Sequence, residues 1–335
     1  MQTCVERVQP VLDLSPQATR SGRRPSAGSS SGYSEMTVDS LEPYRPLLFS
    51  IAYRMLGSAT DAEDVAQEAF VRYAAVTRRG GEDAVRSPKA LLTTITTRLC
   101  LDQLKSARAQ RESYVGPWLP EPLLTDDRTP SPLQTVEQRE SISLGFLALL
   151  ERLSPSERAV FVLREAFDYA YDEIASALGR TAQTCRQLHH RASRHLAEAR
   201  PRFQSVPEVH RLLVEQFVAA ANGGDVQALT GLLATDAVLI SDGGGKVAAA
   251  LHPIHGFDRI ARFLIGIGPK APAGTLLGLT EVNGECGVVT VVGDRPTYVA
   301  TFEVVEGRIQ TIRAVGNPDK LAYFARQFRD RPVTV

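Results

Sequence analysis

Residues 171 to 196 read YDEIASALGRTAQTCRQLHHRASRHL, and this stretch predicts two helices joined by a tight turn, the second of them basic. Ile174, Ala175 and Leu178 fall on one face of the first helix, and Gly179 stands where a helix ends in a left-handed residue. Thr181 is placed to cap the second helix. Along it Cys185, Leu188, Ala192 and Leu196 recur at spacings of three and four, giving a narrow apolar stripe. Gln183, Arg186, Gln187, His190, Arg191 and Arg194 occupy the other side. Arginine and glutamine make bidentate contacts to guanine and adenine edges, and a recognition helix offers them to the major groove from its first turns. From Arg180 to Arg202 there are six arginines and three histidines against one glutamate. A merely solvated helix face would mix both signs, so the segment suits DNA.

The whole-chain composition conceals this polarity. Lys plus Arg equals Asp plus Glu at 38 each, so only the segregation of charge along the chain is informative. A length of 335 residues suggests two or three domains. No apolar run approaches the roughly 18 residues of a membrane span. Cys4, Cys100, Cys185 and Cys286 are far apart, with neither CxxC nor histidine at ligand spacing. Neither a disulfide framework nor a metal site is indicated, which suits a reducing cytoplasm. No cofactor is called for.

Residues 1–38 contain SGRRPSAGSSSGYS, too poor in large apolar residues to fold, and Met36 is a candidate natural start. No apolar run follows Arg23 and Arg24, so a secretory signal is not expected. Residues 39–112 are helical in pattern. Leu47, Leu48, Ile51, Ala52 and Met55 form one stripe, which Gly57 ends, and Thr60 with Glu63 suggests a capping box for the next helix. In that helix Val65, Ala66, Ala69, Phe70 and Tyr73 face inward, opposite an acidic side. A third helix opens at Ser87-Pro88 with Leu91, Leu92, Ile95 and Leu99 inside. Arg98, Lys105, Arg108 and Arg111 share another of its faces, spaced for a phosphate backbone. Residues 113–135 form a linker with prolines at 117, 120, 122, 130 and 132, which favour an extended path. It holds Trp118, the only tryptophan, and a ring of that size usually buries against something. A four-helix block spans residues 136–203, with SPSE at 154–157 as a capping box.

After Val206 the pattern turns from helices to strands. Helices at about 208–221 and 225–234 lead to a short strand, Ala237 to Ser241, then the loop DGGGK at 242–246 and a helix at about 256–266. Strand runs LLGLTEV, CGVVTVV, PTYVATFEVV and RIQTIRAV are separated by Asn283-Gly284, Gly293-Asp294 and Glu306-Gly307, which signal hairpins. Helices on one side of four antiparallel strands make an α+β cone over residues 207–330.

With these motifs on the page the chain resembles an extracytoplasmic-function, or group IV, RNA polymerase sigma factor. DAEDVAQEAF is similar to that family's second conserved region, SPKALLTTITTRLCLDQLKSAR to its promoter-melting and -10-reading helices, and EIASALGRTAQTCRQLHHRASRHL to its -35-reading helix-turn-helix. Residues 207–330 resemble a SnoaL-like domain of the nuclear-transport-factor-2 (NTF2) fold. One subgroup of the family carries that fusion together with WLPEP, DGGGK and NPDKL, found here at 118–122, 242–246 and 317–321. The implied architecture is multidomain: two all-α sigma domains plus an α+β NTF2-like cone. Cys185 replaces the usual aliphatic residue of the recognition helix, and the leader is outside the family pattern.

The resemblance implies binding rather than catalysis. Promoter DNA at -35 falls to Arg180, Thr181, Gln183, Thr184, Arg186, Gln187, His190, Arg191 and Arg194, and at -10 to Arg98, Asp102, Lys105, Arg108 and Arg111. The polymerase core, at its clamp, falls to Asp61, Asp64, Gln67 and Glu68. The loop TRRGGEDAVRS at 77–87 matches the place where such proteins capture a flipped base. An interdomain regulatory set comprises Trp118, Leu119, Pro120, Glu121 and Pro122, Asp242, Gly243, Gly244, Gly245 and Lys246, and Asn317, Pro318, Asp319, Lys320 and Leu321. Within it Trp118 is expected to meet the DGGGK loop and Glu121 to pair with Lys246. Two other readings stay open. One is a helix-turn-helix regulator whose cone senses a small ligand. The other is a SnoaL-like cyclase or isomerase using Asp242, His252 or His255, though histidine before Gly256 commonly just bonds backbone.

Overall fold

Among the described residues three α-helices build the first helical block, and their boundaries follow from local chemistry. Helix α1 (Arg45–Leu56) stops at Gly57, whose φ of 68° is left-handed. Helix α2 spans Ala59–Gly80 and α3 spans Pro88–Glu112. The computed structural model describes residues 41–80, 85–125, 142–197 and 206–330. The leader and the outer half of the linker therefore lie outside the described residues.

The start of α2 corrects the capping box expected from Thr60 and Glu63. Ser58 is the cap, its Oγ accepting from Asp61 N at 3.1 Å, and Glu63 instead receives Arg45 at 3.1 Å. The remaining first-turn donors, Ala59 N and Thr60 N, go to the carboxylate of Glu121 at 2.9 and 3.0 Å. An anion at a helix N-terminus satisfies orphan N–H groups and meets the positive end of the dipole. The 77–87 loop is also shorter than expected, because Thr77 to Gly80 form the last turn of α2 and residues 81–84 lie outside the described set.

The second helical block contains α4 (Leu144–Leu150), α5 (Pro155–Glu165), α6 (Tyr171–Leu178) and α7 (Ala182–Ala197). Ser154 and Glu157 form the capping box of α5, Gly179 ends α6 at φ 62°, and Thr181 Oγ1 accepts from Thr184 N at 3.2 Å. The two blocks do not have separate cores. Ile51, Met55, Cys100 and Leu104 belong to one buried cluster with Leu147, Val160, Leu163, Ile174, Cys185 and Leu196. Apolar periodicity identifies which face of each helix is buried but not its partner, and here the faces of both blocks point at each other.

The third block holds α8 (Pro207–Gly223), α9 (Val226–Leu232), β1 (Leu233–Asp242), β2 (Ile254–His255), α10 (Phe257–Ile267), β3 (Thr275–Val282), β4 (Glu285–Val292), β5 (Arg295–Val305), β6 (Arg308–Val315) and α11 (Pro318–Asp330). The sheet order is β2-β1-β6-β5-β4-β3, with β3 to β6 antiparallel and β1 parallel to β6. Strand β1 is twice the length expected, beginning at Leu233 and passing a register shift before Val238. Helices α8 to α10 cover one face, burying Phe217, Leu229 and Ile260 against Phe302 and Ile312. The other face is covered too. Val289, Val299 and Val315 pack under Phe324 and Phe328 of α11, Leu119 and Leu124 of the linker, and Leu144 of α4.

Candidate nucleic-acid interface and the clamp behind it

Helix α7 buries Cys185, Leu188, Ala192 and Leu196 and so turns its polar side outward. Arg180, Thr181, Gln183, Arg186, Gln187, His190, Arg191 and Arg194 are exposed and Thr184 is half-buried. Arg191 reaches Glu157 only at 3.8 Å, a contact weak enough for DNA to displace. His189, by contrast, turns inward to Glu165 at 2.9 Å.

The set on α3 is less uniform. Asp102 and Lys105 pair with each other at 2.9 Å on the surface, and the side chains of Arg108 and Arg111 lie outside the described residues. Arg98 donates its Nε to the carbonyl of Ala177 in α6 at 3.0 Å. Beside it Thr93 Oγ1 lies 2.9 Å from the hydroxyl of Tyr169, and Lys89 Nζ sits 5.7 Å from the centre of that ring. The helix predicted to read one DNA element therefore rests on the helix-turn-helix predicted to read the other. On α2, Asp61, Asp64 and Gln67 are exposed, while Glu68 pairs with Arg72 at 2.7 Å.

The linker is clamped between the helical blocks and the cone at two places. In the first, Asp242 is fully buried and accepts from Tyr114 Oη at 2.5 Å, Leu119 N at 2.8 Å and Lys320 Nζ at 2.6 Å. Lys320 also donates to Leu119 O at 2.5 Å and lies 4.1 Å from the Trp118 ring and 4.7 Å from the Tyr114 ring. Asn317 Nδ2 donates to Tyr114 Oη at 2.9 Å. Burial and the Asp242 hydrogen bond push the Tyr114 phenol well above its ordinary range, which keeps it a donor. A buried charge pair is tolerable only when every lone pair and proton is used, and here the linker backbone completes the set.

The partners inside this clamp differ from those expected. The glycines meet Tyr114 and Val115 rather than Trp118: a Cβ on Gly244 would come within 2.9 Å of Tyr114 Oη, and one on Gly245 within 3.2 Å of Val115 Cβ. Trp118 lies against Lys320 and, by its indole tip, against Gly57 at the end of α1. Glu121 does not pair with Lys246. Lys246 bonds Asp319, and Glu121 is drawn to the α2 N-terminus, where its carboxylate finds several donors instead of one mobile ammonium. Of the remaining named residues, Leu119, Pro120, Pro122 and Leu321 are buried, Gly243 lies in the loop turn, and Pro318 opens α11.

The second place is the β3–β4 turn. Asn283, at φ 55°, is fully buried. Its Oδ1 accepts from Leu123 N at 2.8 Å, and its Nδ2 donates to Tyr53 Oη at 2.6 Å and Ile142 O at 2.7 Å. Tyr53 in turn donates to Glu121 O at 2.7 Å. One side chain thus joins α1, the linker and Ile142, two residues before α4, to the cone. From Leu119 to Thr125 every residue but the two prolines has its N–H bonded, to Asp242, Gly57, Asn283, Gln327 and Glu281. The linker is held like an added strand, with Leu124 bridging Val282 antiparallel.

Two buried arginines tie the helical blocks directly. Arg158 of α5 donates to Met55 O at 2.7 Å, Leu150 O at 2.9 Å and Glu151 at 2.6 Å. Burial pushes its guanidinium down to about 9, still charged at neutral pH. Arg54 of α1, pushed to about 10 by burial, sits 5.3 Å from the ring of Phe167. Tyr53, Asn283, Arg54 and Arg158 are not distinguished by sequence spacing. Asn283 reads as a hairpin residue and the others as ordinary members of helices.

The alternative catalytic set is not assembled. His252 and His255 are exposed, His255 opposite Val238 at the sheet edge, whereas Asp242 is sealed and ion-paired. Among the described residues no group of His, Cys, Asp and Glu could hold a metal ion, and no helix is long and apolar enough to cross a membrane.

Paired helical blocks, an exposed basic recognition helix and an α+β cone define a promoter-reading protein of the sigma type. The families described as Sigma-70 region 2 and Sigma-70, region 4 match residues 41–110 and 143–196. The chain is 34% identical over 296 residues to the ECF RNA polymerase sigma factor SigJ of Mycobacterium tuberculosis, covering 85% of this chain and 93% of that one. It is 32% identical over 280 residues to the probable ECF RNA polymerase sigma factor SigI of the same species, covering 83% and 92%. The crystal structure of M. tuberculosis SigJ superposes with a TM-score of 0.67 at 32% identity, over 85% of this chain and 98% of that one. The chain belongs to the ECF RNA polymerase sigma factors, and its function is promoter-specific initiation with RNA polymerase.

Proposed function

We propose that this sigma factor is regulated in cis, its third domain holding the two DNA-reading blocks in a closed arrangement that polymerase must open. In this reading α7 reads the -35 element through Arg180, Thr181, Gln183, Thr184, Arg186, Gln187, His190, Arg191 and Arg194, and α3 serves the -10 region through Arg98, Asp102, Lys105, Arg108 and Arg111. Asp61, Asp64, Gln67 and Glu68 dock on the polymerase core. The cone acts as a non-catalytic clamp on the linker, and the chain works in the cytoplasm where polymerase and promoters are.

The observation that carries the reading is the 3.0 Å bond from Arg98 to Ala177. The centres of elements 25 base pairs apart are about 85 Å apart along B-DNA at 3.4 Å per step. Two helices in contact cannot engage both, so the closed chain is not the promoter-bound one. Opening breaks the linker clamp, and any fraction of closed chain lowers apparent affinity for polymerase and promoter in proportion.

The test is abortive and run-off transcription with polymerase core, full-length chain and a Lys320→Ala variant, titrated in sigma. The variant is expected to reach half-maximal initiation at a lower concentration than the wild type. Equal titration curves, with both chains folded, would remove the clamp from regulation, and no specific initiation by either would remove the promoter roles assigned to these residues.

A further inference from the structure

Tyr171 opens α6, the first helix of the helix-turn-helix. Two guanidinium groups lie over its ring, Arg186 with Cζ 5.2 Å from the centroid and Arg164 with Cζ 5.3 Å. The ring is itself fixed. Its hydroxyl is 3.2 Å from His189 Nδ1, and the imidazole meets it edge-on at 6.0 Å. His189 in turn stacks on Phe161 at 5.9 Å and places Nε2 2.9 Å from Glu165 Oε1. A hydroxyl donating to Nδ1 and an Nε2–H donating to the carboxylate use every group in this chain, which runs from α5 through α7 to α6.

The two arginines differ in what they have left to offer. Arg164 donates to Tyr169 O at 3.1 Å and pairs with Asp168 at 3.2 Å, so it is bound to its own helix end. Among the described residues no carboxylate or carbonyl accepts a hydrogen bond from Arg186, which is exposed on the outer face of α7. A guanidinium stacks through its face and donates through its edge, and the two directions are perpendicular. The cation–π contact with Tyr171 therefore restrains the side chain while the planar fork of donors stays unspent on any described acceptor of the protein. That is the state in which arginine reads guanine O6 and N7 with the smallest loss of rotamer freedom.

We propose that Tyr171 is a specificity-determining positioning residue. Without touching a base, it holds the Arg186 fork edge-on toward a guanine of the upstream promoter element. The proposal rests on α7 being the -35 reader. The competing role is plain packing, since Tyr171 borders the helical core.

The two roles separate in base preference, which packing alone would not move. A duplex library randomised across the upstream element is selected with polymerase core plus full-length chain, and base frequencies are counted at each position. Wild type should enrich guanine at one position that Arg186→Ala relaxes. Tyr171→Leu should relax that same position by roughly two- to fivefold and leave the others unchanged, since an exposed cation–π contact is of that order and smaller than the bidentate pair it positions. Tyr171→Phe keeps the ring and should keep the preference, and the Arg186→Ala/Tyr171→Leu double variant should lose no more than Arg186→Ala alone. Tyr171→Met, whose longer unbranched side chain reaches further into the space of the ring, takes the place of leucine if that variant does not fold. Unchanged preference in the leucine variant, uniform loss at every position, or equal loss with phenylalanine would overturn the platform. A guanine that Arg186→Ala does not relax would overturn it while leaving promoter reading intact. If wild type enriches no sequence, the reading of α7 itself fails and the platform with it.

Discussion

Replacing Asn283 by glycine should detach the cone from the linker without disturbing the turn that carries it. Glycine keeps the left-handed backbone that Asn283 adopts at φ 55°, so the substitution deletes the side chain and little else. Three hydrogen bonds are lost, but Tyr53 Oη retains its bond to Glu121 O. The amide of Leu123 and the carbonyl of Ile142 are left orphaned in a buried site, at about 1 to 3 kcal/mol each, for a total of about 2 to 6 kcal/mol. Water entering the space left by the amide would bring the figure toward the lower end. A loss of about 3 kcal/mol multiplies the open fraction by roughly 150. Native-state hydrogen exchange reads this directly, because the amides of Leu119, Glu121, Leu123, Leu124 and Thr125 are all bonded in the closed chain. Their exchange should accelerate by about two orders of magnitude, while amides inside α6 keep their protection. Trp118, the only tryptophan, should report the same opening by a red-shifted emission. Unchanged protection from Leu119 to Thr125, together with an unshifted emission, would refute the assignment of Asn283 as the joint between cone and linker.

Three further outcomes follow from the same contacts. Reversing charge at Asp64 and Glu68 should abolish co-purification with polymerase core while leaving the circular dichroism spectrum unchanged, since exposed helix charges contribute little to stability; retained binding would exclude them from the interface. Arg158→Ala should destabilise the full chain by about 3 to 5 kcal/mol in urea unfolding, because it removes the buried guanidinium bonds to Met55 O, Leu150 O and Glu151, leaving Leu150 O only its bond from Leu153 N; a loss under about 1 kcal/mol would show that the blocks are not joined there. Burial holds the Glu121 carboxyl above its ordinary value of 4.5, against the hydrogen bonds from Thr60 and Ser58 that lower it. The folded state thus binds this proton more tightly than the unfolded chain, and the associated stability is full below 4.5 and is lost as pH rises through the raised value. The stability gap between wild type and Glu121→Gln should therefore move in favour of wild type on acidification from pH 7 toward 4.5, and a gap independent of pH would contradict this environment for Glu121.

What the sequence determined by itself was local chemistry. Gly57 and Gly179 end their helices, Ser154 and Glu157 cap α5, and Asn283-Gly284 and Glu306-Gly307 turn hairpins, because each of these choices is made within a few residues of chain. The exposed basic face of α7 was legible for the same reason, as helical spacing dictates which side chains share a side. Only the tertiary structure decided which apolar faces meet. Burial is non-directional, so periodicity did not reveal that both helical blocks share a core, that β1 lies parallel to β6, or that the linker and α11 cover the second face of the sheet. Polar partners escaped further still. Asn283 and Tyr53 meet across 230 residues, and Glu121 caps a helix begun some sixty residues earlier. A buried amide or carboxylate takes whichever donors the packed backbone brings within about 3 Å, and no pattern in its own neighbourhood records them.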